Sequence, residues 1–154
     1  MESRQAATRE DQTAALTLAR EIFRQHGIPS EVASRAHTKF LTRTVLAPSP
    51  LSSWIGSFTL ETRGEDDLQH DLFFIAEQGA QGLQAEFLWI RLSETMDEDE
   101  SAEFVGPADL LGDGHDEVVL RLTSTASHRY VVYRKCRDGA HWEQIFMTGT
   151  LACQ

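Results

Sequence analysis

The stretch Asp109-Leu110-Leu111-Gly112-Asp113-Gly114-His115-Asp116-Glu117 holds the residue types and spacing that bear most directly on chemistry. Carboxylates alternate with two glycines, and the apolar run Val118-Val119-Leu120 follows. Glycine allows a tight backbone path, and acids spaced in this way can converge on a hard cation such as calcium. Calcium takes roughly six to eight oxygens at about 2.3–2.6 Å. Asp109, Asp113 and Glu117 offer three carboxylates, and His115 offers its backbone carbonyl. The other reading is an Asp-Gly turn held by its own side-chain hydrogen bonds. The residues leave both readings open.

Other chemistry finds less support. The histidines His26, His37, His70, His115, His128 and His141 show no HxxxH or HExxH spacing, so no zinc site is readable. Each reads as a surface or strand-end residue. Cys136 and Cys153 form no CxxC pattern; they are either reduced or paired with each other. No GxSxG is present, and neither cysteine sits in a nucleophile signature. Gly112-Asp113-Gly114 is not a phosphate loop, because acids surround it and no lysine follows. No catalytic residue and no organic cofactor are expected.

Composition bounds the answer further. The chain has 154 residues, enough for one domain with a sizeable core. Acids outnumber bases by 24 to 14, a formal net charge of -10. That charge disfavours nucleic acid and anionic membrane as partners and favours a cation or a basic protein. No apolar run approaches the roughly 20 residues needed to cross a bilayer, so no membrane insertion is expected. Met1-Glu2-Ser3-Arg4-Gln5 leads into no apolar segment, so the chain as written reads as cytoplasmic. A secreted or periplasmic chain that had lost its signal would read the same.

Two kinds of element must position the loop. Arg9 to His26 is an amphipathic helix, with Thr8 and Asp11 as a capping box. Ala15, Leu18, Ala19, Ile22 and Phe23 recur on one face, Gly27 stops the helix, and Pro29 prevents its continuation. A further turn is expected between Ser30 and Arg35. From Ala36 onward, short apolar and β-branched runs alternate with turn chemistry. Strands are expected over 39–46, 53–62, 71–77, 85–93, 103–110, 117–124, 129–135 and 142–148. Trp54, Phe58 and Leu60 share a face on which Gly56 leaves a gap. Leu72-Phe73-Phe74-Ile75 is apolar throughout and is expected to be covered on both sides. The strand aromatics are expected in the core, and Arg121, Arg129, Arg134 and Arg137 are expected to pair with surplus acids.

The strands fall into two sets of four, separated by Asp97-Glu98-Asp99-Glu100. The sets look like an internal duplication. Leu46 and Leu110 match at 64 residues apart, Trp54 and Glu117 at 63, His70 and His128 at 58, and Glu86 and Glu143 at 57. His70 and His128 are expected to do the same structural job.

Asp109 to Val119 resembles the cation loop of FG-GAP or VCBS-type repeats, as in integrin α-subunit propellers and many bacterial surface proteins. Asp109, Gly112, Asp113, Gly114 and Glu117 fit that pattern, and Val118-Val119-Leu120 supplies its strand. Leu111 departs from it, standing where an oxygen ligand is expected. The resemblance covers Phe104 to Phe146; the earlier copy, Phe40 to Leu92, has no acidic loop. It is also similar to the C-terminal half of longer bacterial proteins with degenerate repeats of this kind.

The expected architecture is mainly β: two tandem four-stranded antiparallel meanders, propeller-blade-like, with an N-terminal α-helix. Residues 1–36 form a helical arm packed on the β domain, 37–96 the first unit, 97–102 an acidic linker and 103–154 the second unit. Two blades do not close a propeller. The sheets pack face to face, lie side by side, or assemble with other chains, including a homo-oligomer. The resemblance implies a non-catalytic interaction module with a protein partner and a weak structural calcium loop. The net charge offers an alternative, an acidic inhibitor or immunity-type protein that shields a basic partner. An uncharacterised hydrolase ranks third.

Overall fold

In the computed structural model, the strands form close to where alternation and turn residues place them. The structure describes residues 5–62, 68–94, 100–137, 139, 141–149 and 151–152. The expected turn at 63–67, the acids at 97–99, Asp138 and Cys153 lie outside the described residues. In chain order the elements are β1 (Gln5–Ala6), α1 (Arg9–Gln25), α2 (Ser30–Ala33), β2 (His37–Val45), β3 (Ser52–Glu61), β4 (Gln69–Gly79), β5 (Gly82–Arg91), β6 (Ser101–Ala108), β7 (Glu117–Thr123), β8 (Ser127–Lys135), β9 (Trp142–Met147) and β10 (Leu151–Ala152).

The fold is mainly β, with two antiparallel meanders of four consecutive strands each and an N-terminal helix. β2-β3-β4-β5 form the first sheet and β6-β7-β8-β9 the second. Two short strands that alternation does not reveal extend them. β1 pairs with β2, and β10 pairs with β8 beyond the end of β9.

The helix starts as its sequence dictates. The Thr8 hydroxyl accepts from the Asp11 N–H at 3.1 Å, and the Thr8 N–H donates to the Asp11 carboxylate at 2.9 Å. Together they satisfy two donors that helix geometry leaves without partners. Gly27 closes the helix at φ +95, a backbone region that side chains disfavour. The stripe Ala15, Ala19, Ile22 and Phe23 is buried against Phe58, Leu60, Leu72 and Phe74 of β3 and β4.

The period of two then divides each central strand between two environments. Phe58, Leu60, Leu72 and Phe74 face α1, while Ile55, Phe73 and Ile75 join a second core with Val118, Leu120 and Val131. Leu72-Phe73-Phe74-Ile75 is therefore covered on both sides, as its unbroken apolarity requires. The Ser57 hydroxyl donates to the Ala102 carbonyl at 3.0 Å across the two sheets. Phe87 meets Tyr133 with ring centroids 4.6 Å apart. The result is three layers, helix on sheet on sheet, with the first sheet in the middle. Each fully buried Leu, Ile or Phe contributes about 1.5–3 kcal/mol relative to exposure. The doubly covered strands β3 and β4 therefore hold the layers together.

A polar clamp ties the first sheet to the connection that leads into the second. Buried Asp71 receives Arg91 at 3.0 Å, and Arg91 also donates to the Glu100 carbonyl and the Ser93 hydroxyl. The Ser93 N–H donates to His70 Nδ1 at 3.0 Å, so that nitrogen carries no proton. Burial, with Arg91 nearby, pushes the His70 imidazole below its ordinary 6.5. His128 does something else: its half-buried ring meets Tyr130 edge-on at 5.9 Å. The expectation of one shared job for the two histidines fails because only His70 lies under a covering layer. Phe146 also departs from the expected core placement. It is exposed because β9 is an edge strand whose outer face no described element covers.

Candidate functional site

The acidic loop joins β6 to β7 and folds over the end of the second sheet. Gly112 and Gly114 take φ +70 and +81, the left-handed turns that glycine permits. Asp109 accepts from two backbone donors, Asp113 N–H at 3.0 Å and Gly114 N–H at 2.9 Å. Asp113 accepts from His115 N–H at 3.1 Å and, on its other oxygen, from Arg134. Desolvation works the other way, yet the His115 N–H and the Arg134 guanidinium hold the Asp113 carboxyl below the usual range. Glu117 accepts from Leu110 N–H at 2.7 Å. Its second oxygen is buried without a hydrogen bond and faces Arg134 Nε at 3.8 Å.

Asp109, Asp113 and Glu117 thus lie in one small loop, but their oxygens point at N–H groups and one guanidinium. His115 contributes its N–H to this network. Leu110 and Leu111 are 55% and 56% exposed. Among the described residues, no three His, Cys, Asp or Glu side chains converge as a metal ion requires. Arg134 was legible as a base among surplus acids, but not as the partner of Asp113 and Glu117. That pairing depends on the β7–β8 register, where Val118 lies opposite Tyr133 and brings Glu117 and Arg134 together one step further on. Two more of the expected arginine pairs form, Arg121 with Glu103 and Arg129 with Glu100, whereas Arg137 has no ion pair among the described residues.

Asp116, at the end of the loop, stitches the sheets together. Its carboxylate accepts from Ala47 N–H at 2.7 Å, and its own N–H donates to the Ala47 carbonyl at 2.9 Å. Beside this seam lies a cleft of about 250 Å³, bounded by Pro48, Glu77, His115, Asp116, Arg137 and Trp142. Three connections from the two sheets meet there. Lys135, also in its wall, bridges to Glu86 at 2.6 Å. Burial, then the neighbouring Glu86 carboxylate, pushes the Glu77 carboxyl above its ordinary 4.5. Nothing local in the sequence marks Glu77, because β4 and β5 bring it beside Glu86 only through the bulge at Ile75/Ala76.

No protein-family model matches the chain, and no curated protein or solved structure matches it either.

Proposed function

We propose that this protein is a non-catalytic binding module, of the kind that its FG-GAP-like loop resembles, and that it engages a protein partner through that loop. The observation that carries this reading is the pair Leu110 and Leu111, adjacent and exposed on a loop pinned by hydrogen bonds at Asp109, Asp113 and Glu117. Exposed apolar side chains on a backbone already held in place bind with little ordering cost. The cleft beside Asp116 extends the same end of the molecule and would receive a protruding side chain.

The test is a paired substitution with a matched control. Leu110→Ser with Leu111→Ser is expected to leave the melting temperature within a degree or two and to abolish capture of the partner. Phe146→Ser, at a residue 56% exposed on the outer face of β9, is expected to leave capture intact. Equal capture by all three proteins would refute the reading.

The net charge of -10 favours a second reading, an acidic inhibitor that covers a basic partner. Its binding would weaken steeply between low and physiological salt, whereas contact through the two leucines would be nearly indifferent to salt.

A further inference from the structure

We infer that Arg134 is the built-in cation of the 109–117 loop, so that a side chain of the protein itself, rather than a metal ion, balances the loop's carboxylates. The inference stands apart from whatever the loop's leucines contact.

Glu117 is the strongest reason. Its side chain is fully buried, and a buried carboxylate without a compensating partner is strongly unfavourable. One of its oxygens takes the Leu110 N–H. The other has no hydrogen bond, and the positive group facing it is Arg134, with Nε at 3.8 Å. The same guanidinium donates to Asp113 through Nη2. Arg134 therefore sits between the Asp113 and Glu117 carboxylates, where a cation shared by them would have to sit. Asp109 completes the arrangement without it, since both its oxygens already receive backbone N–H groups.

Two features turn this from coincidence into design. Arg134 is held from β8, a rigid strand paired on both sides, so the guanidinium is delivered by the sheet and not by a mobile tail. Leu110 and Leu111 bring no side-chain oxygen to the loop and stand exposed, and an arginine needs fewer oxygens than calcium does. A calcium ion brought to Asp113 and Glu117 would also meet the fixed positive charge of Arg134 at contact range, where like charges repel.

The experiment has two arms on the full chain. In the first, thermal unfolding of the unaltered protein is followed in EDTA and in 5 mM calcium, a concentration set about fivefold above weak extracellular sites. The expected result is the same melting temperature in both. A rise with calcium that Asp109→Asn/Asp113→Asn abolishes means that the folded loop binds the ion beside Arg134, and it overturns the inference. A rise that persists in that variant comes from acids elsewhere, such as Asp97 to Glu100, and leaves the loop without the ion, as inferred. In the second arm, Arg134→Met is compared with Arg134→Met/Glu117→Gln by urea unfolding in EDTA. Arg134→Met is expected to lower the folding equilibrium constant at least tenfold. Removing the stranded charge in the double variant is expected to recover most of that loss. A single variant as stable as the parent, or a double variant no better than the single, overturns the inference. Should Arg134→Met not fold, the first arm still decides, because it leaves Arg134 in place.

Discussion

The Phe58 ring lies over Gly56: a methyl group added to Gly56 would fall 2.6 Å from Phe58 Cε2 and 3.2 Å from Leu41 Cδ1. The gap that alternation predicts at Gly56 is thus filled by its own strand neighbour. Phe58 cannot swing clear, since it is fully buried and stacked on Phe74 with centroids 4.9 Å apart. Overpacking of this kind costs about 1–3 kcal/mol. Gly56→Ala is expected to lower the urea midpoint accordingly without changing the slope of the transition. An unchanged midpoint would mean that the ring moves freely.

His70 makes stability depend on pH in a definite direction. Its folded value lies below 6.5, so between the two values the unfolded chain binds more protons than the folded one. Stability contributed by neutral His70 is complete above 6.5 and is lost as pH falls through that value towards the lower folded one. Protonation also removes the acceptor that Ser93 N–H uses at 3.0 Å. The unfolding free energy of the parent should fall from pH 7 to pH 5 more steeply than that of His70→Gln. Parallel curves for the two proteins would count against this role.

Glu77 acts with the opposite sign. Its folded value lies above 4.5, so the folded chain holds the proton more tightly, and ionisation above that value weakens the fold. Glu77→Gln is therefore expected to stabilise at pH 7 and to change little at pH 4. The carboxyl is only half-buried, so screening limits the gain to roughly a few tenths of a kcal/mol. A loss of stability at pH 7 would show that charged Glu77 is a favourable group in the cleft.

The elements that signal themselves locally were legible. Thr8 and Asp11 announce the start of the helix by a spacing that works wherever it occurs. The eight main strands follow from alternation bounded by glycine, proline and acids, and Leu72-Phe73-Phe74-Ile75 announces two covered faces. What stayed hidden is whatever depends on residues meeting across the fold. β1 and β10, of two residues each, are too short to carry a period. The choice of face-to-face packing rests on contacts such as Ser57 with Ala102, which are 45 residues apart. At the loop, the acids were visible but their partners were not. A carboxylate reads the same in a sequence whether it faces a metal, a backbone N–H or an arginine seventeen residues downstream.

The middle position of the first sheet has a consequence for any attempt to divide this protein. Excised at Glu94, the leading half would present Phe73 and Ile75 to water, and it would join the nearest greasy surface on offer. The trailing half would fare no better, with Val118 and Leu120 bare along its inner side. The two meanders are each other's missing wall, so they should melt together, in one step, or not at all.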